Sequence, residues 1–250
     1  MKILGLDSSG LVAGVAVVED GILLAEYNVN YKKTHSQTLL PMLDEVRKML
    51  ELDMDTIDAV AVASGPGSFT GLRIGAATAK GLGLALDKPI VEVPTLEGLA
   101  YNLCGTKGRV CPLMDARRNQ VYTAVYEFVE GNTSDKLPIL RVAEPQAAMD
   151  IEELLAKLNV LDEKALECQE RRPVIFLGDG VSVYHEIIRE KMTIPYLFAP
   201  ANANRQRAGS IAALGEVYFR AGRTVSAAEH RPEYLRQSQA ERELAQKERA

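Results

Sequence analysis

The chain has 250 residues, of which 47% are hydrophobic and 25% are charged. This composition is typical of folded globular proteins and excludes an intrinsically disordered chain. The formal net charge of -5 at pH 7 disfavours tight nucleic-acid binding by the chain alone, because such binding depends on clustered Lys and Arg.

The cysteines and the apolar runs indicate where the protein resides. The three cysteines form no C-x-x-C pair, and their odd number argues against a disulfide framework. Asp7 interrupts the first apolar run before that run reaches the length of a signal-peptide core. No later run has the roughly 18 apolar residues that a membrane span requires. We therefore expect a cytoplasmic protein without a membrane segment.

Three short apolar runs come first, over residues 2–6, 11–18 and 22–29. Polar turns separate these runs, and the second turn contains Asp-Gly, which is typical of tight hairpins. The three runs therefore predict an antiparallel meander of three strands.

Two helices are predicted after the meander. Residues 34–37 have the spacing of a capping box, which favours a helix start at this point. Four apolar residues then recur at helical intervals: Leu39, Leu43, Val46 and Leu50. A buried strand over residues 58–63 leads to a second helix over residues 71–86, which Pro89 ends. A strand over residues 90–93 and a helix over residues 95–104 follow.

The second half of the chain has a similar order of elements without a similar sequence. Its predicted elements are a hairpin over residues 110–128, a loop over 130–145, a helix over 151–158, a strand over 174–177 and a helix over 210–221. This order suggests two related α/β lobes. We predict an N-terminal lobe over residues 1–106, a C-terminal lobe over 107–237 and a charged tail over 238–250.

A polar turn, Asp7-Ser8-Ser9-Gly10, ends the first predicted strand. Backbone N–H groups and small hydroxyls at such a bend can hold a phosphate, and the Asp7 carboxylate can hold a magnesium ion. A hairpin turn whose side chains satisfy their own backbone explains the same residues.

The glycine-rich segment over residues 64–83 follows a strand and leads into a helix. A P-loop needs a lysine directly after its last glycine, whereas Gly71 is followed by Leu72. The dinucleotide pattern also fails, because Thr70 stands where its third glycine belongs. Small residues instead recur every four positions: Gly71, Gly75, Ala79 and Gly83. This stripe indicates close packing, either inside the chain's own core or against a second subunit.

The remaining candidate groups for chemistry are histidines and arginines. His35, His185 and His230 have no metal-binding spacing, which disfavours a metal-dependent peptidase. Arg117 and Arg118 lie at the tip of the second hairpin, where they form either a solvated turn with a local ion pair or a contact to RNA.

Five segments together resemble the bacterial TsaB family, over about residues 1–240. They cover residues 3–9, 35–41, 64–75, 114–122 and 234–236. The glycine segment and the Asp-Ala-Arg-Arg-Asn-Gln hairpin are the most specific of these. The resemblance implies an α/β fold of the actin-like ATPase (ribonuclease H-like) type, with two lobes that each contain a mixed sheet flanked by helices.

The resemblance also implies a function. Members are non-catalytic subunits in the formation of threonylcarbamoyladenosine at position 37 of tRNA, next to the anticodon. The implied partners are the catalytic subunit TsaD, which holds a metal with a histidine pair, and the small ATPase TsaE. A homodimer is implied when the chain is alone, and tRNA is reached indirectly through the complex. The alternative is an active ATP-dependent phosphotransferase of the same fold, with Asp7 holding magnesium.

Family members pair through two helices of the N-terminal lobe. In this sequence the implied interface residues are His35, Leu39, Leu43, Val46, Gly71, Gly75, Ala79 and Gly83. Asp7, Ser8 and Ser9 then become a remnant of a phosphate site. No intrinsic cofactor is expected, and ATP or ADP with magnesium is expected to bind only weakly within the complex.

Overall fold

A computed structural model describes residues 1–31, 35–131, 138–167 and 172–236, without the side chains of residues 161–167. The first half of the chain contains β1 (Lys2–Asp7), β2 (Val12–Glu19), β3 (Ile22–Asn30), α1 (His35–Met49), β4 (Ala59–Gly65), α2 (Phe69–Leu86), β5 (Ile90–Pro94) and α3 (Thr95–Tyr101). The second half contains β6 (Arg109–Asp115), β7 (Gln120–Val129), β8 (Ile139–Asp150), α4 (Ile151–Glu167), β9 (Val174–Leu177), α5 (Asp179–Lys191), β10 (Tyr196–Phe198) and α6 (Ala208–Arg220). The two halves thus have the same order of strands and helices.

The sheets confirm the repeat. Each has five strands, in the orders β3-β2-β1-β4-β5 and β8-β7-β6-β9-β10. In each sheet the first three strands of the half pair antiparallel, and the remaining two add in parallel. The predicted fold class, two lobes each with a mixed sheet flanked by helices, is confirmed.

The last helix of each half packs against the sheet of the other half. One face of the first sheet is covered by α1 and α2, and its other face by α6. The second sheet is covered by α4 and α5 on one face and by α3 on the other. The predicted C-terminal lobe over residues 107–237 therefore differs from the structure. Its last helix belongs to the first sheet by packing, because β1, β2 and β4 bury apolar side chains on both faces.

Most predicted elements are present, and the exceptions have physical reasons. The loop predicted over residues 130–145 is in part strand β8, whose residues are exposed or only partly buried and include a proline, so that no apolar alternation indicates its pairing with β7. The helix α5 and the three-residue strand β10 were not predicted. Thr34 of the predicted capping box and the tail over residues 238–250 lie outside the described residues. Within the described ranges, no helix has the length and hydropathy to cross a membrane.

Candidate functional site

A cleft of about 600 Å³ separates the two lobes. Its walls come from the turns after β1 and β6, from the two residues just before α2 and from the first residues of α5. Because α2 and α5 occupy equivalent places in the two halves, the repeat brings matching chain segments to opposite sides of the cleft.

The two turns begin with the same hydrogen bond. The Ser9 amide donates to Asp7 Oδ1 at 2.8 Å, and the Arg117 amide donates to Asp115 Oδ1 at 2.9 Å. Each aspartate is the last residue of its strand and fixes the residue two positions further on, which is an Asx turn. The sequence pointed to Asp7 and to the hairpin that contains Asp115 separately, and the structure shows that the two aspartates are equivalent.

Asp7 lies beneath its turn and does not line the cleft. It is 2% exposed, and the Ser9 hydroxyl donates a second hydrogen bond to Oδ1 at 2.6 Å. Burial raises the pKa of Asp7 to about 6, against the opposing effect of the Ser9 hydrogen bonds. No ion pair reaches Asp7 from the described residues. These contacts agree with a carboxyl that holds the turn.

Ser8 and Ser9 use their hydroxyls within the chain. The Ser8 hydroxyl donates to the carbonyl oxygen of Gly71 at 2.9 Å, and the Ser68 amide donates to the Ser9 carbonyl oxygen at 2.7 Å. The turn after β1 is therefore attached to the start of α2. Only Ser9 of the two serines lines the cleft.

The glycines of α2 provide the space for this attachment. A Cβ atom on Gly71 would overlap the Ser8 carbonyl oxygen, and one on Gly75 would lie 2.6 Å from the Ser8 hydroxyl. Ala79 is fully buried in the core beneath α1 and α2, and a Cβ on Gly83 would lie 3.0 Å from the Lys88 carbonyl oxygen.

The predicted interface residues are consequently wrong at seven of eight positions. Four small residues of α2 and three apolar residues of α1 are buried in the chain's own core: Gly71, Gly75, Ala79, Gly83, Leu39, Leu43 and Val46. The eighth, His35, is partly exposed and lines the cleft, where its Nε2 donates to the Gly10 carbonyl oxygen at 2.8 Å. The helical periodicity identified one apolar or small-residue face on each helix. It did not show whether that face packs inside this chain or against a second subunit.

A second face of α1 and α2 is exposed, and sequence reasoning missed it. Leu40 is 54% exposed on α1, and Leu84 is 68% exposed on α2. Between Arg73 and Leu84, the exposed face of α2 presents the small residues Ala77 and Gly81. Gly81, which lies outside the four-residue stripe, was the available signal for this face.

The tip of the β6–β7 hairpin is exposed at the rim of the cleft. Its backbone is left-handed at three successive residues: Arg117, Arg118 and Asn119. The Arg117 side chain lines the cleft and is 87% exposed, with Nε 3.7 Å from Asp115 Oδ2. The two arginines predicted as possible RNA contacts thus lie at the surface.

Carboxylates occupy the second-lobe wall of the cleft. Asp179, at the start of α5, accepts a hydrogen bond from the Asp115 amide at 3.4 Å, and its burial raises its pKa. The Tyr184 hydroxyl donates to Asp115 Oδ1 at 3.3 Å. In the part of the chain that the structure describes, no group of three or more His, Cys, Asp or Glu could hold a metal ion.

The segment after α6 connects the start of α2 with the turn after β6. The Tyr234 ring lies 4.6 Å from that of Phe69, the first residue of α2. The Arg236 guanidinium donates to the Ala116 carbonyl oxygen at 2.7 Å. This segment carries the last of the five sequence motifs, and it contacts both sides of the cleft.

Comparison with known proteins identifies the family. Residues 23–244 match the family model described as TsaD: tRNA N6-adenosine threonylcarbamoyltransferase. The chain is 33% identical to the tRNA threonylcarbamoyladenosine biosynthesis protein TsaB of Bacillus subtilis, over 86% of this chain and 87% of that protein. The chain belongs to the TsaB family. A TsaB of Haemophilus influenzae is 27% identical over 94% of each chain.

A solved structure agrees with the TsaB assignment. The crystal structure of an uncharacterized Pseudomonas aeruginosa protein with similarity to peptidase YEAZ superposes with a TM-score of 0.73. The two chains are 26% identical, and the alignment covers 94% of this chain and 99% of that one. The TsaB family name places the chain in tRNA threonylcarbamoyladenosine biosynthesis.

Proposed function

We propose that the chain is a non-catalytic subunit of a tRNA threonylcarbamoyltransferase complex. We also propose that the chain binds a TsaD-type catalytic subunit through the exposed faces of α1 and α2. Membership of the TsaB family supports the role in tRNA threonylcarbamoyladenosine biosynthesis. The match to the TsaD model supports a partner with the same fold.

Gly81 is the observation that carries the docking proposal. It lies in the exposed middle of the 18-residue helix α2, and a Cβ atom there would meet nothing within 4 Å. An interior helical glycine costs roughly 0.5–1 kcal/mol relative to alanine. Gly71 and Gly75 make room for the turn after β1, and Gly83 makes room for the chain at Lys88, whereas Gly81 makes room for none of the described residues. Close approach of a partner helix explains it.

The geometry of this face suits a partner of the same fold. Both α1 and α2 lie on one side of the first sheet, and a TsaD-type subunit of the same fold would present the equivalent pair. Two such pairs can meet around a pseudo-twofold axis, and two copies of this chain can meet in the same way. Leu40 and Leu84 supply apolar area, which contributes about 25 cal/mol per Å² buried.

The histidines support the non-catalytic part of the proposal. The sequence has three, and they lie at the start of α1, within α5 and after α6: His35, His185 and His230. His230 Nδ1 is 2.7 Å from Glu92, and His185 Nδ1 is 3.1 Å from Glu186. A metal site held by histidines needs several such ligands close together. This chain keeps its histidines apart.

A size-exclusion experiment tests the docking. The chain mixed with its TsaD-type partner should elute as a heterodimer, at the expense of any homodimer. Gly81→Leu should weaken pairing about thirtyfold or more, because a central side chain blocks helix approach at the interface core. Glu190→Leu adds the same side chain to the exposed surface of α5 and serves as the control. Undiminished pairing by a folded Gly81→Leu variant would refute the interface.

The cleft supports a second proposal, weak binding of ATP or ADP with magnesium within the complex. Gly67 and Ser68 present the start of α2 to the cleft, and helix N-termini attract phosphate. Asp115 and Asp179 offer carboxylate oxygens on the opposite wall, which suit magnesium.

Titration calorimetry with magnesium ATP should give binding by the complex and none by the free chain. Binding and hydrolysis of ATP by the free chain would instead contradict the non-catalytic role and favour the ATP-dependent phosphotransferase. TsaE, the homodimer and the cytoplasmic location stay predictions.

A further inference from the structure

Docking through α1 and α2 leaves the tip of the β6–β7 hairpin without a role. Three successive residues there have left-handed backbone, with φ of 64° at Arg117, 57° at Arg118 and 57° at Asn119. This conformation is sterically unfavourable for residues with a Cβ atom, and turns that need it normally contain Gly, Asn or Asp. If only the shape of the turn mattered, Gly, Asn or Asp would be expected at both arginine positions. The two arginine side chains are therefore expected to have a function of their own.

The tip is held rigidly by elements outside the hairpin. The Ile151 amide, at the start of α4, donates to the Asn119 carbonyl oxygen at 3.0 Å. On the other side, the Arg236 guanidinium donates to the Ala116 carbonyl oxygen at 2.7 Å. Together with the Asx turn at Asp115, these bonds keep the unfavourable backbone in place. Strain that the surroundings maintain in this way is typical of functional sites.

The two arginines point their charge outward. Arg117 is 87% exposed, and its Nε is 3.7 Å from Asp115, which is too long for a hydrogen bond. Arg118 is exposed and has no hydrogen bond or ion pair to any described residue. Guanidinium groups bind phosphate through two parallel N–H donors. Two neighbouring guanidinium groups suit a ligand with phosphates in succession.

We propose that Arg117 and Arg118 bind backbone phosphates of RNA. This inference rests on the proposed function, which makes tRNA the substrate of the complex. Arg117 lines the cleft and Arg118 does not, so the pair faces a ligand that extends beyond the cleft, as a nucleic-acid strand does and a nucleotide does not. The net charge of -5 makes such a local contact the means by which this chain approaches a polyanion.

Salt-dependent binding of tRNA to the complex tests the proposal. Arg117→Gly and Arg118→Gly should each weaken binding about tenfold at low salt. Each should also reduce the slope of log Kobs against log salt concentration by about 0.9, because one phosphate contact is lost. Asn119→Gly, in the same turn, should change neither quantity. The two Arg→Gly variants should also raise Tm by about 2 °C, because glycine relieves the backbone strain, whereas Asn119→Gly should change Tm less, because asparagine tolerates the left-handed conformation.

Two further measurements sharpen the test. Arg189→Ala removes the same charge from the exposed surface of α5 and should leave the salt slope unchanged. An unchanged slope in both Arg→Gly variants overturns the proposal, and so does an equal loss in Asn119→Gly, which would assign the effect to turn shape. Weaker magnesium ATP binding with unaltered tRNA binding would assign the arginines to a nucleotide and also overturn it.

Failure of the proposed function is seen separately. If the wild-type chain forms no complex with a TsaD-type subunit on a sizing column, the docking proposal fails. The same Arg→Gly variants are then tested with the free chain and tRNA at low salt. Equal salt slopes for these variants and the wild-type chain would overturn the phosphate contact there too.

Discussion

The four residues that follow β1 and the four that follow β6 occupy equivalent places in the two lobes, but α2 packs only on the first set. After Asp7, glycines of α2 lie against the turn, and Asp7 itself is buried. After Asp115, the turn projects two arginines into solvent. The same unit, a strand followed by a four-residue turn, is thus packed against a helix in the first lobe and exposed to solvent in the second lobe. The neighbour of a turn, more than its own hydrogen bond, determines its chemistry.

The largest effect is expected from a substitution that disrupts the packing of α2 against the turn after β1. Gly71→Ala should lower the free energy of unfolding by more than about 3 kcal/mol, because the new Cβ overlaps the backbone of Ser8 and the strand end must move. Gly81→Ala is the matched control in the same helix. It should raise the free energy of unfolding by roughly 0.5–1 kcal/mol, since the added methyl meets no neighbour. Urea denaturation of both variants measures the difference, and equal effects would contradict it.

The second prediction concerns the buried carboxyl of the first turn. The pKa of Asp7 is raised from 3.8 to about 6, so the folded state favours the protonated form. Its stabilising contribution is complete below pH 4 and is lost as pH rises through 6. The loss amounts to about 3 kcal/mol, at roughly 1.4 kcal/mol per unit of pKa.

Asp7→Asn should remove this pH dependence, because the amide cannot ionise. The wild-type free energy of unfolding should fall relative to that of Asp7→Asn by roughly 2 to 3 kcal/mol between pH 4 and pH 7. Denaturation curves at both pH values measure the difference between the two proteins, in which all other titrating groups cancel. Parallel pH profiles would show that Asp7 ionises freely in the folded chain.

The smallest expected effect comes from Ser8→Ala, a substitution that makes the turn after β1 resemble the turn after β6. Ser8 follows Asp7 in one turn, and Ala116 follows Asp115 in the other. Ser8→Ala removes the hydrogen bond from the Ser8 hydroxyl to the Gly71 carbonyl oxygen, which should cost about 1 kcal/mol. Thermal unfolding should show a decrease in Tm of about 3 °C. An unchanged Tm would mean that this bond does not hold α2 against the turn.

Much of the fold was predictable, because strand and helix periods are local properties. The opening meander, the helix from His35 and the hairpin around Asp115 were predicted from apolar spacing and turn residues, and all three are confirmed. Strand β8 was not predicted, since its apolar and polar residues do not alternate and none of its residues is buried. Its place is fixed by pairing with β7, which no local pattern encodes.

The site shows the same division. The sequence by itself determined that Asp7, the glycine segment and the two arginines lie at strand ends and helix starts, because turn chemistry and spacing are written in neighbouring residues. Only the tertiary structure decided which faces of α1 and α2 are buried. A helical period shows which residues share a face, but it does not show which element packs against that face. The glycine stripe of α2 consequently packs inside the chain, and the opposite face, around Gly81, is exposed.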